Sequence, residues 1–191
     1  MDTDETRTTL LDAAEELFYA RGIQAVGIDE VRSASGVSLK RLYQVFPAKR
    51  QLVEAYLLRR DGRWRARLAE YVADHPDDRI PAVFDWLREW FAEPGFRGCA
   101  FVNSFGELGS AEPGIADVVR AHHASVREFL AGLVAELAVS DPAELTEQLW
   151  LLLVGSSTGA AITGDPALAD RARRAAQVLV KAATRENGVS L

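Results

Sequence analysis

Cysteine is almost missing from this sequence: Cys99 is the only one among 191 residues, so no disulfide within the chain supports the fold. Histidine is nearly as scarce. Two of the three, His122 and His123, are adjacent, and on a helix they point to different faces and cannot hold one metal ion together. No metal site is expected. Long apolar runs are absent too. The longest uncharged stretch, 148–164, is interrupted by Gln148, Ser156, Ser157, Thr158 and Thr163 and falls short of the roughly 20 mostly apolar residues a bilayer span needs. The chain opens Met-Asp-Thr-Asp-Glu-Thr, acidic where a secretory signal would be basic and then apolar, and the expected compartment is the cytoplasm. No period-two segment bounded by turn signals marks a strand, and no glycine-rich phosphate loop follows one. The spacing of Cys99 from His75, His122 and His123 suggests no nucleophile and base. Neither catalysis nor a cofactor is expected.

What is present is helical periodicity in a chain of ordinary globular composition, 48% hydrophobic and 26% charged. Leu10, Leu11, Ala14, Leu17 and Phe18 form one apolar stripe, closed by Gly22. Short helices are predicted over 28–35 and 38–46, and a long one from Pro47 to about Ala73. Further helices are predicted at about 79–92, 101–109, 113–139, 142–163 and 166–185. Asp141-Pro142-Ala143-Glu144 and Asp165-Pro166 supply helix starts. The fold class is all-α with about nine helices.

Charge is segregated. The net −6 conceals a run from Arg32 to Arg67 with ten basic and two acidic residues, net +8, which leaves the remainder at −14. An anionic partner for one end fits that asymmetry, as does a merely solvated helix surface.

Two short helices joined at Gly36-Val37 have the form of a helix-turn-helix, with Val31, Val37, Leu42 and Phe46 spaced to fix the interhelical angle. Ser38 can cap the second helix. Leu39, Lys40, Arg41 and Gln44 then occupy its exposed N-terminal face, where arginine and lysine suit guanine and glutamine suits adenine. Tyr43 and Lys49 are candidates for phosphate contacts.

Residues Thr9 to Leu58 resemble the DNA-binding region of the TetR (tetracycline repressor) family of bacterial transcriptional regulators. The matching residues are Leu11-Asp12-Ala13-Ala14, Leu17-Phe18, Arg21-Gly22, Ser35-Gly36-Val37-Ser38, Leu42-Tyr43, Phe46-Pro47-Ala48-Lys49 and Leu52. Gly27 stands where the family usually has a threonine or serine that touches phosphate, and Arg32 replaces a usual alanine. Lys40-Arg41 adds two cations, which predicts tighter and more salt-sensitive binding. The resemblance implies a three-helix DNA-binding domain over residues 1–47 and a helical ligand-binding and dimerisation domain over 48–191. It also implies a small, largely apolar effector whose binding moves the long helix after Pro47.

The C-terminal half carries the remaining candidates. Leu145, Leu149, Leu152, Ser156 and Gly159 step by four, three, four and three, and Leu168, Ala172, Ala175 and Leu179 step likewise. Joined at Gly164-Asp165-Pro166, these seams predict an antiparallel hairpin that forms a four-helix homodimer interface. Trp64, Trp86, Trp90, Phe101, Phe105 and Phe129 are candidates to line an effector cavity, and each also suits close-packed core. His122 falls on the inward stripe Ile115, Val119, Val126, Phe129, where a satisfied core histidine and a ligand contact are both open. The expected function is a ligand-responsive, homodimeric repressor released from a palindromic operator by a small apolar or aromatic molecule. The alternative is a module that sequesters a hydrophobic molecule and has only non-specific DNA affinity.

Overall fold

The computed structural model describes residues 2–186, and among them it has nine helices and no strand. They are α1 (Thr3–Arg21), α2 (Ile28–Ser35), α3 (Leu39–Val45), α4 (Lys49–Ala73), α5 (Arg79–Phe91), α6 (Ala100–Leu108), α7 (Pro113–Val134), α8 (Pro142–Thr163) and α9 (Leu168–Glu186). The expected all-α architecture is present. One difference is the end of α7, expected at 139 and found at Val134. The segment Ala135-Glu136-Leu137-Ala138 has good helix-forming residues, yet the chain turns there and Val139 is buried in the core. Tertiary burial overrides local propensity.

The chain divides into two compact units. The first contains the residues up to Arg63 together with Ala100–Ala121. Its α1 buries Leu10, Leu11, Ala14 and Phe18, the stripe read from sequence. Asp2 caps it by accepting the Asp4 N–H, and Gly22 ends it at φ 87°, its N–H bonded to the Phe18 carbonyl at 2.9 Å. Gly36 ends α2 in the left-handed conformation, φ 67°, which a glycine adopts without a Cβ penalty. Val31, Val37, Leu42 and Phe46 are buried and set α2 against α3. α6 belongs to this unit as well: the Glu107 carboxylate accepts the Gln24 N–H at 2.8 Å, and the Gln24 side-chain amide donates to the Glu107 carbonyl. α2 and α3 therefore share one unit with a segment that begins more than fifty residues after α3.

The second unit contains Trp64–Cys99 and the described residues from His122 onward. Its core is built by Leu68, Val72, Phe84 and Leu87 with Val126, Leu130, Leu145, Leu149, Ala169 and Ala176. Asp141 caps α8 by accepting the Glu144 N–H at 3.0 Å, with Pro142 in the first helical turn. Asp165 accepts the Ala167 N–H at 3.0 Å ahead of α9, and that bond, helped by Arg171, holds its carboxyl below the usual range. Gly155-Ser156-Ser157-Thr158-Gly159 has the spacing of a nucleophile elbow. It lies inside α8, however, not at a strand-to-helix turn, and the Ser157 hydroxyl donates to the Leu153 carbonyl at 2.8 Å.

Candidate nucleic-acid and effector sites

In the first unit, α3 presents a short polar face. Ser38 caps it through Oγ, which accepts the Arg41 N–H at 3.3 Å. Leu39, Lys40, Tyr43 and Gln44 are exposed and Arg41 is half-exposed, while Leu42 is fully buried against α1 and α2. Among the described residues no carboxylate pairs with Lys40 or Arg41, so both cations remain uncompensated at the surface. The Arg41 guanidinium instead donates to Thr3 Oγ1 at 2.9 Å and lies 3.4 Å from Gln44 Oε1.

Three residues expected at the interface are engaged within the chain. Gly27 caps α2 in extended conformation, and its N–H goes to Glu30 Oε1 at 3.0 Å. That hydrogen bond, reinforced by Arg21, holds the Glu30 carboxyl below the usual range. Arg32 extends outward, 3.5 Å from Asp29. Lys49 differs most from expectation: its Nζ donates to the Ile23 carbonyl at 2.6 Å and sits 5.7 Å from the Phe18 ring centre. Burial pushes its pKa down, against the pull of Glu107 and Glu30. Lys49 thus braces the first turn of α4 against the α1–α2 loop.

The basic run is also compensated more than composition suggests. The guanidinium groups of Arg59, Arg60 and Arg63 converge on the Glu15 carboxylate, and Arg59 also reaches Asp12 at 2.8 Å. Arg60 stacks over Tyr19 at 3.9 Å. Acidic residues of α1 thus absorb much of the local positive charge and leave the cations of α3 as its outward expression. Thr3, Arg7 and Gln24 were not singled out by sequence. Their partners lie tens of positions away, and no local pattern reports such pairings.

In the second unit, Trp64, Trp86, Trp90 and His122 gather as expected. Trp64 meets Trp86, Trp90 and His122 edge to face at 5.0, 5.6 and 5.4 Å, and Trp86 stacks on Trp90 at 5.7 Å. Trp64 Nε1 is buried without a hydrogen-bond partner. Phe129 is half-buried against the same core. Phe101 and Phe105 belong to the other unit; Phe101 is buried there and Phe105 is 46% exposed. His123 accepts from Trp150 Nε1 at 3.4 Å, and Arg127 lies 3.5 Å over the Trp150 ring. Burial, then the neighbouring His122 and Arg127, push the His123 pKa down to about 4. A separate groove of about 450 Å³ is lined by Ile80, Pro81, Leu133, Leu137 and Val180, with Lys181 at its rim.

The expected interface seam is turned largely inward. Leu145, Leu149, Ser156 and Ala172 are buried within the chain, and Leu152, Gly159, Leu168, Ala175 and Leu179 are half-buried. The physical reason is the closeness of α8 to α9: a Cβ on Gly159 would lie 3.0 Å from Leu168 Cδ1, so this glycine serves the hairpin itself. The face left open carries Leu151, Ile162 and Val178, exposed by 60, 79 and 68%, with Gly155, Ala161 and Ala182 exposed beside them. Leu151, Gly155, Thr158 and Ile162 repeat the four, three, four step one face over.

Among the described residues no helix is long and apolar enough to cross a membrane, and no cluster of three metal-ligating side chains occurs.

Two family models match the chain. The family model described as bacterial regulatory proteins, tetR family, matches residues 10–56, and that of the tetracyclin repressor-like C-terminal domain matches residues 76–176. The HTH-type transcriptional activator FasR of Mycolicibacterium smegmatis is 36% identical over 90 residues, covering 44% of this chain and 41% of FasR. The HTH-type transcriptional regulator UidR of Escherichia coli is 25% identical over 132 residues, covering 68% of this chain and 65% of UidR. The chain therefore matches less than two thirds of the length of either relative. The crystal structure of a TetR-family transcriptional regulator from Streptomyces coelicolor superposes with a TM-score of 0.87 at 28% identity, covering 95% of this chain and 97% of that one. Reduced NemR of E. coli, at 22% identity and a TM-score of 0.82 over 92% of this chain and 97% of its own, shares the fold.

Proposed function

Because the chain belongs to the tetR family of bacterial regulatory proteins, we propose that this transcriptional regulator is a cytoplasmic, homodimeric repressor that a small, largely apolar effector releases from a palindromic operator. The observation that carries the reading is the face of α3. It has an exposed, capped N-terminal turn with Lys40, Arg41 and Gln44 outward, and among the described residues no carboxylate pairs with the two cations. Major-groove acceptors on guanine suit Lys40 and Arg41, and adenine suits Gln44. Tyr43 and Leu39, both exposed on the same helix, complete the contact surface.

The open stripe Leu151, Ile162 and Val178 supports dimerisation through α8 and α9, since exposed apolar side chains at helical spacing are stabilised by a second copy. Two reading heads then meet half-sites about 34 Å apart or a multiple of that. The cluster of Trp64, Trp86, Trp90 and His122 supports an effector site, because an apolar interior with an unpartnered indole N–H favours a planar, weakly polar guest. Effector binding lowers operator affinity to the extent that it favours a conformation with a poorer operator fit.

A competition titration tests the reading. Purified protein meets labelled DNA from upstream of its own gene, with excess random DNA, at two salt concentrations. Binding that survives and is competed away by one palindromic fragment is the expected result. Binding lost wholly to random DNA and to salt supports the sequestering module instead. A reporter on that promoter that falls, not rises, on deletion of the protein assigns activation, the role named for FasR.

A further inference from the structure

Thr3 and Arg41 are 38 positions apart, yet Arg41 Nη2 donates to Thr3 Oγ1 at 2.9 Å within the unit that carries the reading helix. The hydroxyl is anchored from its own side. Thr3 opens α1, Asp2 caps that turn by accepting the Asp4 N–H, and the fully buried Thr6 donates its hydroxyl to the Asp2 carbonyl at 2.6 Å. The arginine is anchored at its backbone, where its N–H bonds to the Ser38 cap. Its contact with Gln44, at 3.4 Å, is too long to fix the guanidinium. One turn further along α1, the Arg7 guanidinium lies 4.8 Å over the ring of Phe46, the residue that ends α3. The first two turns of α1 thus support α3 at its reading turn and at its end.

We propose that Thr3 is a positioning residue for base recognition: its hydroxyl aims the Arg41 guanidinium at one base edge and sharpens sequence preference without touching DNA. A free arginine samples many rotamers, and the entropy lost on fixing one offsets part of the energy of recognition. Holding one N–H in advance reduces that loss and leaves the remaining donors of the fork for a guanine edge. A neutral hydroxyl suits the task because a carboxylate in its place would cancel the charge that phosphates attract. Asp2, Asp4 and Glu5 flank Thr3 in the sequence, and among the described residues no carboxylate pairs with Arg41.

This inference rests on α3 as the base-reading helix, and the test separates the two. Full-length protein selects sites from randomised double-stranded DNA at one fixed salt concentration, and preference is read at each base pair. The variants are Arg41→Ala, Thr3→Val and Thr3→Ser. Arg41→Ala is expected to abolish preference at one base pair per half-site. Thr3→Val, isosteric with the natural residue, is expected to weaken preference at that same base pair by roughly fivefold, the equivalent of one net hydrogen bond. Other positions, affinity for random DNA and the thermal midpoint stay unchanged, and Thr3→Ser restores the preference. Intact or sharper preference in Thr3→Val overturns the positioning role while leaving α3 as the reader, as does a loss spread over all positions. Unchanged preference in Arg41→Ala overturns both.

Discussion

The side-chain ammonium of Lys49 is bonded to the carbonyl oxygen of Ile23 at 2.6 Å. The lysine at the start of α4 therefore holds the α1–α2 loop in place. Lys49→Ala is expected to destabilise the reading unit by about 1.5 kcal/mol, the size of a charged hydrogen bond, with little change in the salt dependence of DNA binding. Lys40→Ala is expected to do the reverse: unchanged stability, and a log–log salt slope shallower by about one. Thermal melts and titrations at several salt concentrations check both. A reduced slope for Lys49→Ala would return that residue to the phosphate contacts.

Two glycine substitutions should move stability in opposite directions. Gly98 has φ +83°, and a Cβ there would lie 2.8 Å from the Cβ of Ala161. Gly98→Ala should cost about 2 kcal/mol or more through backbone strain and overpacking. Gly62 is inside α4 with nothing within 4 Å of an added Cβ, so Gly62→Ala should gain about 0.5–1 kcal/mol. Denaturant melts of the two variants give the comparison.

His123 makes the fold acid-sensitive. Its pKa is about 4 in the folded chain against 6.5 for the free side chain. Above pH 6.5 both folded and unfolded forms are neutral and the group contributes nothing to the pH dependence. Between 6.5 and 4 the unfolded chain binds the proton and the folded chain does not, so stability falls as pH falls through that window. His123→Gln, which keeps an acceptor for Trp150, should lose less stability over the same range, as read from unfolding midpoints at pH 7 and pH 5.

The exposed stripe on α8 and α9 gives the clearest change of mass. Ile162→Arg places a charge on the most open apolar side chain of that face and should convert a dimer to a monomer by sedimentation at micromolar concentration. Leu149→Ala, buried within the chain, should instead lower stability by roughly 2–5 kcal/mol.

Most helix limits were legible because their signals are local: Asp141-Pro142 at the start of α8, Gly22 and Gly36 at the ends of α1 and α2, and the buried Leu10–Phe18 stripe. Which stripe of α8 meets which neighbour was not. Apolar residues occupy most of its circumference, so spacing alone cannot divide Leu149, which packs inside, from Leu151, which faces out. The α3 face was readable from Ser38 and Gly36. The brace at Lys49 and the grip of Thr3 on Arg41 depend on groups far apart in sequence. Trp64, Trp86 and Trp90 pack together, whereas Phe105 lies on a short helix that Gln24 and Glu107 bond to the first unit.

That last pairing bears on how such proteins can be recombined. The reading head is discontinuous in sequence: Glu107 receives the Gln24 N–H, and a Cβ on Gly22 would lie 3.2 Å from its carboxylate. A chimera joined just after α3 would carry Gly22 and Gln24 from one parent and Glu107 from another. The graft boundary that keeps these contacts intact has three cuts, not one, taking 1–63 and 100–121 as a single transplantable part and leaving the donor's aromatic cluster behind.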